Sequence, residues 1–158
     1  MKIKNVITAG IIAMTLMSCS SNMQEADYNV IPQPKAITEA SNNNPFVISK
    51  KVVITYPTSQ AELAKEANFL SGYFNEILGY PLKVEASDVF KKEAINLSIN
   101  PSLFTENDSY KINVSEDNIN ISASEASSLF YAIQTLRKSL PFDAKGENIA
   151  MPAAEIYD

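Results

Sequence analysis

SYKINVSEDNINISASEASSLFYAIQTLRKSLP, residues 109–141, decides how this chain folds. Tyr110, Ile112 and Val114 alternate with Lys111 and Asn113, the period of a half-buried strand. Ser115-Glu116-Asp117-Asn118 is a polar turn, and Ile119, Ile121 and Ala123 then resume the alternation. The pattern predicts a hairpin with one apolar face. Ser124 suits an N-cap, where its hydroxyl accepts from unpaired first-turn amides, and Glu125 suits the positive end of the helix dipole. Leu129, Ile133, Leu136 and Leu140 follow at helical spacing. Arg137 and Lys138 complement the negative end, and Pro141 stops the helix.

Upstream, residues 59–78 predict a longer helix. Ser59 and Glu62 fit a capping box. Leu63, Ala67, Leu70, Phe74 and Ile77 or Leu78 fall on one face, Gly79 suits the C-cap, and Pro81 prevents continuation. Gly72 sits mid-helix, where close packing would explain it. Phe46-Val47-Ile48 and Val52-Val53-Ile54 predict one bent strand or two short ones. Leu82, Val84 and Ala86 alternate, as do Ile95, Leu97 and Ile99. Residues 38–44 read as a polar loop, and residues 142–158 show no amphipathic period. The order along the chain is β-α-β-β-β-β-α. The expected fold class is α+β, one sheet covered by two helices.

The N-terminus reads as targeting sequence. Lys2 and Lys4 precede a short apolar run, residues 6–17, and then Leu16-Met17-Ser18-Cys19. This looks like a bacterial lipoprotein signal over residues 1–18, with Cys19 as the acylated residue. Acyl chains there would hold the protein to a membrane without spanning it. Ser20 after the cysteine resembles the outer-membrane rather than the inner-membrane pattern, so the expected location is the cell envelope, at the outer membrane. Residues 19–29 read as a flexible tether and 30–158 as the folded domain. Loss of residues 1–18 leaves 11 cations against 18 acids, net −7. That charge argues against nucleic acid as partner. With no His and a single Cys, the chain lacks the commonest general base, a disulfide and a thiolate zinc site, and no cofactor or metal is expected.

Four features together resemble the small N-terminal (zincin-like) domain of the family-20 glycoside hydrolases, the β-N-acetylhexosaminidases. These are Ile31-Pro32-Gln33-Pro34, the hairpin from Tyr110 to Ala123, the run from Leu129 to Arg137, and the tail Pro152-Ala153-Ala154-Glu155-Ile156-Tyr157-Asp158. The resemblance departs at Ser127-Ser128, where the family often has Gly, and at Asp108, near a common Glu. It implies a catalytic (β/α)8 barrel, normally in the same chain, that follows this domain and carries an adjacent Asp-Glu pair. In that substrate-assisted scheme the 2-acetamido group of the sugar is the nucleophile. The chain stops at Asp158, so no catalytic residue is carried over and no hydrolysis is expected of it alone.

Within the chain, Glu116-Asp117 reads as a solvated turn. Tyr73, Phe74, Tyr80, Phe130 and Tyr131 read as core or interdomain contact before a sugar platform, and the Phe130-Tyr131 side of the helix as a surface for the barrel. The sequons at Asn96, Asn107, Asn113 and Asn120 read as chance matches. The alternatives to a hexosaminidase accessory domain are the equivalent domain of a family-84 O-GlcNAc hydrolase, or a stand-alone surface lipoprotein binding a glycan or a protein.

Overall fold

The computed structural model describes residues 23–40 and 42–158. Cys19 and the signal segment lie outside them. In chain order the elements are β1 (Met23–Glu25), β2 (Ala36–Glu39), β3 (Phe46–Ile48), β4 (Val53–Tyr56), a 3-10 turn (Thr58–Leu63), α1 (Ala64–Leu78), β5 (Lys83–Ala86) and β6 (Ala94–Ile99). There follow β7 (Tyr110–Val114), β8 (Asn118–Ala123), α2 (Ala126–Ser139), β9 (Asn148–Met151) and β10 (Ala154–Tyr157). The fold class is the expected one, α+β with a mixed sheet and two helices.

The large sheet has seven strands in the order β2-β10-β7-β8-β6-β4-β5. The predicted hairpin, β7 with β8, lies at its middle and is antiparallel; β8, β6, β4 and β5 then run parallel. Because side chains alternate with period two, matched registers assemble single-chemistry rows across the strands. Ile37, Ile156, Ile112, Ile121 and Leu97 form one apolar row. Val84, Ile54, Ile95, Ile119 and Val114 form the next. On the other face Thr38, Glu155, Asn113, Asn120, Asn96, Thr55 and Glu85 make a polar row across all seven strands.

Both helices cover the apolar face. Ala67, Leu70, Phe74 and Leu78 of α1 and Leu129, Ala132, Ile133 and Leu136 of α2 are buried in one core with the isoleucine rows. Burial of each leucine, isoleucine or phenylalanine among them contributes about 1.5–3 kcal/mol. Gly79 ends α1 in the left-handed region, φ 80°, where only glycine is unstrained.

Several local expectations give way to tertiary contacts. Residues 58–63 form a 3-10 turn with a kink at Gln60, and no capping box closes on Ser59. Thr58 is instead held by Asp88, whose carboxylate accepts from its amide at 2.8 Å and its hydroxyl at 2.6 Å. Ser124 is not the N-cap of α2. Glu125 takes that position without a side-chain bond, while the Ser124 hydroxyl accepts from the Ser109 amide at 3.1 Å. A Cβ on Gly72 would meet nothing within 4 Å, so close packing does not explain that glycine.

Four strands were not legible in the pattern. β9 is the centre of a separate three-stranded sheet, β1-β9-β3, and three of its four residues are buried on successive positions, so nothing alternates. β10, in the stretch without period, pairs with both β2 and β7. β2 occupies the start of the expected polar loop. Residues 23–29, expected as tether, give β1, parallel to β9, and bury Ala26 and Tyr28. Phe46–Ile48 and Val53–Tyr56 are two strands in two different sheets.

Candidate functional site: the outer face of the helices

The sequence candidates disperse in the structure. Glu116 and Asp117 sit exposed in the β7–β8 turn, where Asp117 pairs with Lys92 at 2.9 Å. Phe74 is in the core. Tyr80 lies past the C-terminal end of α1 with the Lys50 ammonium 5.0 Å from its ring centre, and partial burial raises its phenol pKa. The sequon residues Asn96 and Asn120 are bonded to each other in the polar row, Nδ2 to Oδ1 at 2.9 Å. Among the described residues no three acidic, His or Cys side chains gather as a metal site.

Tyr73, Phe130 and Tyr131 do come together, with a fourth ring that sequence reasoning missed. Phe69 stands 4.5 Å from Tyr73 edge-on and 5.7 Å from Phe130 in a stacked arrangement. Phe130 meets Tyr131 at 6.2 Å. The signal for Phe69 was its place one turn before Tyr73, off the face set by Leu63, Ala67, Leu70 and Phe74. Its partner Phe130 lies on the other helix, which spacing does not disclose. Arg137 caps the cluster, its guanidinium carbon 4.2 Å from the Tyr73 ring centre, and Gln134 Nε2 donates to the Tyr73 hydroxyl at 3.3 Å. Phe69 is 41%, Phe130 40% and Tyr131 52% exposed. Stacked rings left this open, with a cation and an amide at the border, have the composition of an interface centre.

Beside Tyr131 a cleft of 230 Å³ is lined by Pro32, Gln33, Pro34, Tyr110, Gln134 and Asp158, among others. Segments far apart in sequence meet here: the Asp158 carboxylate accepts from the Lys35 amide at 3.1 Å, and the Asp158 and Tyr110 backbones bond reciprocally. The Tyr110 hydroxyl shares a 2.7 Å hydrogen bond with Thr135, and burial raises its pKa. Far from this, at the β5 edge, hydrogen bonds from Lys83 and Lys91 lower the Glu85 pKa to about 2.

The model of "Glycosyl hydrolase family 20, domain 2" matches residues 27–158. The chain belongs to this family. The family-20 domain is 25% identical over 132 residues to a beta-N-acetylhexosaminidase of Cellulomonas fimi, covering 84% of this chain and 26% of that protein. The chain thus spans about a quarter of the length of that relative. Solved structures share the fold. The family-20 β-N-acetylhexosaminidase of Streptomyces coelicolor superposes with a TM-score of 0.66 at 24% identity, over 82% of this chain and 26% of that one. The enzyme of Bacteroides fragilis does so with 0.61 at 21%, over 84% and 25%. The resemblance read from the four sequence features holds: this is the N-terminal accessory domain of family-20 enzymes.

Proposed function

We propose that this domain is the non-catalytic front of a lipid-anchored exo-β-N-acetylhexosaminidase that removes terminal N-acetylglucosamine or N-acetylgalactosamine from glycans. Its role is to brace the catalytic barrel, with Cys19 acylated and the enzyme held at the outer membrane. The exposed cluster of Phe69, Tyr73, Phe130 and Tyr131 carries the reading. Four rings at the surface of two helices whose inner faces are already satisfied need a further apolar partner. A barrel in the same chain supplies one.

Release of p-nitrophenol from p-nitrophenyl N-acetyl-β-glucosaminide tests this, with the 158-residue chain beside one extended through the downstream reading frame. Activity in the extended chain alone is the expected result. Activity in the short chain overturns the placement of the catalytic site. Silence in both favours a surface lipoprotein that binds a glycan or a protein.

A further inference from the structure

We propose that the end of the domain where β1 begins rests directly on a phospholipid surface, with Phe142 inserted and Lys50, Lys51 and Lys145 on the headgroups. This rests on the acylation of Cys19 proposed above. Cys19 stands four residues before Met23. At no more than about 3.6 Å per residue, those four positions reach about 14 Å, so an acylated Cys19 keeps the start of β1 at the bilayer.

The sheet register shows what surrounds that point. Met23 pairs with Asn148, and Ile48, the last residue of β3, pairs with Ile149. The turn after β3, with Lys50 and Lys51, and the loop before β9, residues 142–147, therefore flank the start of β1. Gln24 Nε2 ties β1 to the loop before β9, donating to the Asp143 carbonyl at 2.7 Å and the Glu147 carboxylate at 2.9 Å. The Ala144 amide donates to the Ile77 carbonyl at 3.1 Å, and Lys145 packs beside Gly79.

Phe142 projects from this end fully exposed, at 100%, and Met23 is 46% exposed. No other large apolar side chain among the described residues is so bare. An aromatic ring at headgroup level beside lysines is the composition of an interfacial anchor. Lys50 lies over the Tyr80 ring, and among the described residues none of the three lysines is in an ion pair. Lys35, Lys83, Lys91, Lys92 and Lys111 are in ion pairs, whereas among the described residues Lys50, Lys51 and Lys145 have no carboxylate partner. Carboxylates at the same end are Glu76, Glu93, Glu116, Asp117, Asp143 and Glu147, with Asp117 paired to Lys92. Of these, Asp143 accepts from the Lys145 amide and Glu147 from Gln24.

The chain has no Trp, so one indole reports on one position. Full-length Phe142→Trp, produced with its own signal, is reconstituted in phosphatidylcholine–phosphatidylglycerol vesicles carrying bromine-labelled acyl chains. Val89→Trp is the control: Val89 is 73% exposed and follows β5, which runs parallel to β4 and so away from the Lys50–Lys51 turn. The expected result is quenching severalfold stronger at position 142. Replacing Lys50, Lys51 or Lys145 with Gln should lower the docked-to-free ratio about fivefold per lysine. Equal quenching at positions 142 and 89 overturns the proposal. Mass spectrometry of the same samples reads acylation separately. If Cys19 is unmodified, the anchor reading fails, and coupling this single thiol to a maleimide phospholipid lets the same comparison decide the docking.

Discussion

The Tyr28 hydroxyl donates to the Pro152 carbonyl at 2.6 Å, clamping the segment after β1 onto the link between β9 and β10. Tyr28 is 3% exposed. A stretch without sequence pattern is thereby part of the core. Tyr28→Phe removes the donor and strands a carbonyl, which costs about 1–2 kcal/mol. Urea unfolding should show it as a lower midpoint with an unchanged slope.

The same residue sets an alkaline limit. Burial, then the charges of Glu39 and Glu25, raise the Tyr28 pKa above its ordinary 10.0. The unfolded chain therefore releases this proton near pH 10 while the folded chain keeps it, so stability falls as pH rises beyond that value. Tyr28→Phe should flatten the stability–pH curve above pH 10 without moving it at neutral pH beyond the loss already given. An unchanged alkaline slope would show that Tyr28 does not set it.

Gly72 offers a gain. It lies within α1, exposed, with empty space where a Cβ would be. Gly72→Ala should stabilise the domain by about 1 kcal/mol, through backbone entropy and helix propensity alone. Thermal unfolding checks it, and a decrease in Tm would mean that the surface is covered by something else.

Asn96 is the keystone of the polar row. It is 1% exposed; its Oδ1 accepts from the Thr55 hydroxyl at 2.6 Å and the Lys91 amide at 3.0 Å, and its Nδ2 donates to Asn120. Asn96→Ala leaves several buried groups unpaired and should cost about 2–3 kcal/mol. Asn120→Ala, half-buried, should cost less, and equal losses would argue against a network centred on Asn96.

The helix face separates stability from assembly. Phe69→Ser with Phe130→Ser removes the stacked pair, which should cost the domain alone less than about 1.5 kcal/mol. In the chain extended through the barrel the same changes should lower Tm further and reduce hydrolysis. Equal effects in both chains would remove the cluster from the interface.

Sequence alone determined the elements whose information is local. The hairpin of β7 and β8 was legible because its apolar residues alternate, and the two helices because theirs recur each turn and end at Gly79 and Pro141. Of the four features shared with family-20 enzymes, the hairpin and the Leu129–Arg137 run were legible for the same reason, whereas the Ile31–Pro34 entry and the 152–158 tail were legible as local residue runs without a period. Tertiary structure decided the rest. β1 and β10 are strands because β9, β2 and β7 supply backbone partners far along the chain, and β9 because it is covered on both sides. The Phe69–Phe130 stack joins two helices across 61 positions, a distance at which no periodicity carries information. Local pattern reports which face a side chain presents; which residue meets it there is fixed only when the chain closes on itself.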